Sequence, residues 1–123
     1  MLDRDTSGCE AERTAAGVSG LWLKFSCRVS LTLQGNDVQA VADGQPDYPS
    51  FYFPTSNACY EDWPDGMHNP NEIAVKSYTV TFPASPTTTE TSMAGIAVVG
   101  LALNGVPIYS NQAAPGDDIY VEA

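Results

Sequence analysis

Positive charge is scarce in this sequence. Its 123 residues contain five Lys and Arg against fifteen Asp and Glu, which gives a formal net charge of −10, and they include a single histidine. Nucleic-acid binding needs clustered cations that neutralise phosphates, and anionic membrane surfaces attract basic segments. The composition therefore argues against nucleic acid and against an anionic membrane as partners.

Long hydrophobic runs are missing as well. The longest apolar stretch, residues 94–103, is interrupted by Gly95 and Gly100, and it is much shorter than the roughly 20 residues of a membrane-spanning helix. The first residues lack the basic start and apolar run of a signal peptide. Only 16% of the residues are charged, while Ser, Thr, Gly and Pro are abundant. We therefore expect one soluble, β-rich extracellular domain whose export signal is not part of this chain.

Cysteine is also infrequent. Cys9, Cys27 and Cys59 are too far apart for a CxxC redox or zinc pair. A tetrahedral zinc site would use every Cys and His of the chain, so zinc is not expected. We predict one disulfide and one remaining thiol. Spacing does not determine the pairing; Cys9 with Cys27 is preferred because it would tether the N-terminal segment to the first strand, and Cys59 is the alternative partner.

Apolar periodicity predicts the organisation of the chain. Residues 1–20 have no apolar stripe and are interpreted as an N-terminal arm, followed by a β-domain over residues 21–123. Residues 28–33 alternate as a half-buried strand and, after a turn, are expected to form a hairpin with residues 38–41. Another strand with a β-bulge near residue 76 is predicted at residues 73–82, and a central strand at residues 96–103. The predicted fold class is an all-β, antiparallel, sandwich-like single domain.

A long loop rich in proline and aromatic residues separates the predicted strands. Residues 43–71 contain five prolines and six aromatic residues, so the loop is expected to pack over the sheet as an ordered lid. Tyr52, Tyr60 and Trp63 are candidates for a partner or carbohydrate surface, although a satellite core under the loop is the favoured interpretation. A later segment rich in Ser, Thr and Pro offers candidate O-glycosylation sites at Thr87, Thr88, Thr89 and Thr91.

The sequence offers little for catalysis. It has no Gly-x-Ser-x-Gly elbow and no phosphate-binding loop, so we predict no catalytic residues and no cofactor. Asp65, His68 and Glu72 are the candidate metal ligands, because carboxylates suit calcium and an imidazole suits copper. A solvated acidic loop is the favoured alternative for these three residues.

Four segments then follow one another in a specific order. They are residues 42–48, residues 53–63, the run His68-Asn69-Pro70-Asn71-Glu72-Ile73, and residues 100–109 with their Ala-Leu-Asn-Gly-Val-Pro-Ile-Tyr sequence. Over residues 28–123 this pattern resembles the YHYH domain family. Tyr48 stands where members of that family usually carry histidine, and the histidine-rich segment that names the family would follow Ala123. The resemblance therefore covers the front part of the domain, and no role of those histidines carries over.

An incomplete β-domain leads to the main functional hypothesis. Such a domain exposes unpaired backbone groups at its sheet edges, which a strand from another chain can complete. Residues 1–20 or residues 119–121 are the expected donors. We therefore expect a non-enzymatic secreted subunit of an extracellular fibre or surface assembly, formed by strand exchange between neighbours. The alternatives are a copper- or calcium-binding extracellular module and a glycan-binding domain.

Overall fold

The fold is built from short antiparallel strands with one helix. The computed structural model describes residues 5–66, 71–87, 98–110, 112–113 and 117–118. In chain order the elements are helix α1 (Ser7–Ala15), a 3₁₀ helix (Gly20–Lys24), and strands β1 (Ser30–Gln34), β2 (Asp37–Ala42), β3 (Tyr78–Pro83), β4 (Val98–Leu101), β5 (Pro107–Tyr109), β6 (Gln112–Ala113) and β7 (Asp117–Asp118). The prediction of a small β-rich domain with antiparallel sheets is confirmed.

The largest sheet has three antiparallel strands in the order β1-β2-β3. Leu31 faces Ala40 and Ala40 faces Val80 across the sheet, so one face carries a row of apolar side chains, as the period-two pattern predicts. The β1–β2 hairpin turns through two residues, the first of which is Gly35 with φ +61°. The predicted first hairpin is thus confirmed, and glycine suits that turn position because L side chains rarely adopt positive φ.

A second hairpin packs its tip against this sheet. Strands β4 and β5 pair with each other and join through a turn that contains Asn104 and Gly105, a residue pair typical of hairpin turns. Gly105 has φ +89°, and a Cβ atom there would lie 3.0 Å from Val29 Cγ2 and 3.1 Å from Ala42 Cβ. Only glycine allows this approach. The core therefore includes residues of both sheets: Phe25, Val29, Leu31, Val38, Ala40, Ala42 and Leu101.

Two strand predictions are wrong in detail. Strand β3 begins at Tyr78, so no bulge lies at residue 76; the change of apolar phase marks the start of the strand. The register irregularity lies instead between Val98 and Gly100 in β4. Within the part of the chain that the structure describes, β4 pairs with β5 alone and is not a central strand. Residues 96 and 97 of that prediction lie outside the described residues.

The N-terminal segment, interpreted from the sequence as an arm, contains helix α1 and is tied to the rest of the chain. Helix α1 ends at a Schellman motif, in which Gly17 has φ +88° and Val18 N–H donates to the Arg13 carbonyl at 3.0 Å. Val18 is only 1% exposed and the Arg13 side chain is buried. A disulfide joins Cys9 to Cys27. The segment is held without an apolar stripe, because a charged side chain and a covalent bond anchor it.

Candidate functional site

An apolar groove lies between the three-stranded sheet and the β4–β5 hairpin. Trp22 and Phe25 of the N-terminal half, Phe82 of β3, and Leu101 and Ile108 of the hairpin line it, and its volume is about 640 Å³. This volume lies within the range of about 300–1,000 Å³ that small-molecule sites occupy. It is larger than two other cavities formed by the described residues, whose volumes are about 370 Å³ and about 310 Å³.

Trp22 fixes the floor of the groove. Its ring stacks on Phe25 with a centroid distance of 5.8 Å and tilts against Phe82 at 5.5 Å. The indole N–H donates to the Ala84 carbonyl at 3.0 Å, which satisfies the only polar group of the side chain. The floor is therefore a preformed aromatic surface with its polar atoms already paired.

The rim of the groove is apolar and exposed. Leu21, on the 3₁₀ helix, is 84% exposed, and Leu103 and Ile108 are each at least half exposed. None of the described residues that line the groove carries a charge, although the chain as a whole has a net charge of −10. Exposed apolar patches of this kind on otherwise polar surfaces mark sites of interaction.

The aromatic candidates from the sequence come together only in part. Trp63 packs edge-on against Phe51 with a centroid distance of 4.3 Å and against Tyr52 at 6.3 Å. These rings stand at steep angles to one another and share no flat face. Tyr60 lies elsewhere in the loop, in an isolated bridge with Ser50, and desolvation together with the nearby Asp62 charge raises its pKa. The cluster has the geometry of a small satellite core under the loop.

The metal candidates are not assembled by the described residues. Asp65 and Glu72 are both exposed, and His68 lies outside the described residues. Within residues 5–66, 71–87 and 98–110, no group of three or more His, Cys, Asp or Glu side chains is placed to hold a metal ion. The copper or calcium site therefore stays a prediction from the sequence.

The remaining candidates concern cysteine and threonine. The structure joins Cys9 to Cys27, the preferred pair, and leaves Cys59 as a half-buried free thiol. Thr87 is exposed, as a glycosylated side chain must be, while Thr88, Thr89 and Thr91 lie outside the described residues. O-glycosylation of these residues stays a prediction.

The sequence reasoning missed the groove entirely. Its lining residues are separated by up to about ninety positions along the chain, and no local periodicity of the sequence predicts such a surface. The one available signal is Leu21-Trp22-Leu23, an apolar triplet outside every predicted strand. An apolar run without a strand or helix period indicates side chains that need a partner formed by distant parts of the chain.

None of the helices within the described residues is long and apolar enough to cross a lipid bilayer.

Comparisons with known proteins do not identify a relative. No protein-family model matches the chain, and neither the curated proteins nor the solved structures contain a significant match. The resemblance to the YHYH domain family thus stays a prediction from the motifs.

Proposed function

We propose that this chain is a non-enzymatic, secreted β-domain that acts as a subunit of an extracellular fibre or surface assembly. The observation that supports this most is the uncharged apolar groove with its exposed rim. The partner that we propose for the groove is a second copy of the same chain. The finer fold that accompanies the proposal is a β-sandwich in which the β4–β5 hairpin belongs to the second layer.

The shape of one face of the molecule favours self-association. The same surface carries a projecting leucine, Leu21, and the hollow floored by Trp22. A knob beside a hollow on one face is self-complementary, as a symmetric pair requires. Such a pair is closed, so growth into a fibre needs a second contact, which we propose at the edge of β3. The absence of charge along the described lining matters here, because two chains that each carry −10 repel one another unless they meet at a neutral surface.

Strand β3 adds a backbone component to the proposal. Among the described residues its only strand partner is β2, so half of its backbone groups point away from the sheet. A neighbouring chain that pairs with this edge would direct alternate side chains toward the groove. The N-terminal segment is a poor donor for such an exchange, because Cys9 and Arg13 tie it to its own chain. Residues 119–121, which lie outside the described residues, remain the proposed donor.

An extracellular location fits the same proposal. Disulfides persist in oxidising compartments, and the Cys9–Cys27 bond is compatible with such a location. The metal-binding module is kept as an alternative proposal, and it rests on Asp65, His68 and Glu72 alone. Glycan binding by Tyr52, Tyr60 and Trp63 is a weaker alternative, since the rings of Tyr52 and Trp63 meet edge-on.

Analytical ultracentrifugation of the full chain over a range of protein concentrations tests the proposal. We expect concentration-dependent association that strengthens with added salt, because salt screens the repulsion between acidic chains. Leu21→Asp places a charge at the rim and is expected to weaken association at least about tenfold. Because Leu21 is exposed, the variant is expected to fold like the original chain, and circular dichroism checks this.

Val75→Asp is the matched control. Val75 is 73% exposed and does not line the groove, so this variant adds the same charge to an apolar side chain elsewhere. It should associate like the original chain. A monomer at all concentrations and salt levels, or equal loss of association in both variants, would overturn the proposal.

A further inference from the structure

A second cavity, which we call the polar pocket, lies on the other side of Leu103 from the groove. Its volume is about 370 Å³, at the lower end of the range for small-molecule sites. Lys24, Ser26, Asp47, Tyr48, Leu103 and Asn104 line it. The cavity thus combines one acidic, one basic and one amide side chain with an aromatic ring, and none of these residues belongs to a site discussed above except Leu103.

The turn after β2 brings Asp47 to this cavity. Gly44 has φ +73°, and a Cβ atom there would lie 2.4 Å from Tyr78 Cε2, so only glycine fits beneath that ring. The Asp43 carboxylate accepts a hydrogen bond from Gln45 N–H at 3.0 Å and closes the turn. The following Pro46 and Asp47 are buried as a result.

Asp47 is a preorganised acceptor at the base of the pocket. It is only 7% exposed, and Asn104 Nδ2 donates to its Oδ1 at 3.0 Å. Asn104 is fixed in turn, because its own Oδ1 accepts from Val106 N–H at 3.2 Å. A carboxylate has about four acceptor positions, so Asp47 can keep its protein partners and still accept hydrogen bonds from a ligand.

The other walls define the chemistry of the ligand. Tyr48 is 51% exposed and offers one ring face. Lys24 Nζ lies 2.9 Å from Glu10 Oε1, so a donor is held at the rim with its charge balanced. An acceptor and a donor that line the same cavity suit hydroxyl groups, each of which both donates and accepts. A ligand ring that has a polar edge and an apolar face also packs well against the exposed ring of Tyr48.

We infer that the polar pocket binds a single neutral sugar residue. In this arrangement ligand hydroxyls donate to Asp47 and accept from Lys24, while the apolar face of the sugar lies on Tyr48. Anionic ligands are disfavoured by the buried carboxylate and by the net charge of −10. The inference does not depend on the proposed self-association, since the two cavities are formed by different sets of residues apart from Leu103.

Titration of the isotope-labelled full chain with methyl mannoside and methyl galactoside, followed by two-dimensional NMR, tests the inference. We expect saturable shifts of the backbone amides of Asp47, Tyr48 and Asn104, with a dissociation constant on the order of 1 mM for at least one sugar. Tyr48→Ala should weaken binding about tenfold. This side chain is half exposed, so the variant is expected to fold. Asp47→Asn should abolish binding, and its spectrum shows whether the fold is retained.

Tyr109→Ala is the control, because Tyr109 is an exposed tyrosine that does not line the pocket. It should leave the dissociation constant unchanged. Three outcomes would overturn the inference: no saturable shift with either sugar, equal weakening by Tyr48→Ala and Tyr109→Ala, or shifts at the pocket with glycine but not with the sugars. The last result would assign the pocket to a zwitterion held between Asp47 and Lys24.

Discussion

The two flanks of the three-stranded sheet differ in what lies beside them. On the β1 side, helix α1 lies beside the strand and is attached by a disulfide, by the Glu10–Lys24 ion pair at 2.9 Å and by the buried Arg13. On the β3 side, an open apolar groove adjoins a strand whose only described strand partner is β2. Proteins that do not aggregate cover exposed sheet edges. Both β1 and β3 are edge strands among the described residues, but the groove beside β3 is uncharged and apolar, whereas the cavity beside β1 is lined by Glu12 and Arg13. This difference is consistent with a partner at the open flank.

The largest expected effect comes from removing the anchor of the covered flank. The Arg13 guanidinium donates to the carbonyls of Ser26 at 2.8 Å and Val29 at 2.7 Å, and it also donates to the carbonyls of Leu23 and Phe25. Arg13→Leu retains aliphatic atoms at position 13 but removes the guanidinium group. The buried carbonyl oxygens are then left without their hydrogen-bond donor. We expect the free energy of unfolding to fall by about 4 kcal/mol, measured by urea denaturation.

Glu12→Leu is the matched control for this change. It places the same side chain at an exposed position one residue earlier in the same helix, so its effect should stay within about 0.5 kcal/mol. If both variants lose similar stability, Arg13 is not the anchor and the comparison between the two flanks loses its physical basis.

Loss of the disulfide should produce the next largest effect. The Cys9–Cys27 bond closes a loop with a sequence separation of 18, and a loop of that length stabilises a fold by about 3 kcal/mol through its effect on the unfolded chain. The double change Cys9→Ser with Cys27→Ser is therefore expected to lower the midpoint of thermal unfolding by more than about 10 °C.

Cys59→Ser provides the comparison, because Cys59 is a free thiol. It should leave the midpoint nearly unchanged, and a reducing agent should lower the midpoint of this variant as it does that of the original chain. An unchanged midpoint in the double variant would show that hydrogen bonds alone hold α1 against β1.

The contrast between the flanks also explains what the sequence could predict. The β1–β2 hairpin follows from alternating side chains and from turn residues at Gly35, and the second hairpin follows from Asn104-Gly105. These are local signals, since periodicity and turn chemistry act over a few residues. Helix α1 was not predicted, because its sequence presents no apolar stripe. Gly17, two residues after the last residue of the helix, was the available sign of its end.

The candidate sites were less predictable than the fold. The groove joins Trp22, Phe82 and Ile108, and the polar pocket joins Lys24, Asp47 and Asn104. Each set spans three distant parts of the chain, so only the tertiary structure brings its members together. By contrast, the residues of the predicted aromatic surface all belong to one loop, and the aromatic rings of that loop pack largely against one another. Residues that are close in sequence were therefore easy to group into a candidate site, whereas both cavities are formed by residues that are distant in sequence.

The smallest expected effect concerns a hydrogen bond that links β3 to β5 near the open flank. The hydroxyl oxygens of Tyr78 and Tyr109 lie 3.4 Å apart. This hydrogen bond, assisted by desolvation and by the Tyr78 charge, raises the pKa of Tyr109 above its ordinary value, while Lys76 acts to lower it. A raised pKa means that the folded chain retains the phenol proton to higher pH than the unfolded chain does. The resulting stabilisation is complete below about pH 10 and is lost as the pH rises through the pKa of the folded state.

Spectrophotometric titration of the phenolate groups checks this link. Tyr78→Phe removes the partner, so the pKa of Tyr109 should fall toward its ordinary value, whereas Lys76→Met removes the nearby cation and should raise it further. The two variants thus shift the same group in opposite directions, and neither should change stability at neutral pH by more than about 1 kcal/mol. No shift in either variant would mean that neither Tyr78 nor Lys76 acts on Tyr109. The hairpin would then be held without this link, through the core at Leu101 and Gly105 and through the hydrogen bonds of Leu103 and Asn104, and the open flank would be less constrained than the tyrosine pair suggests.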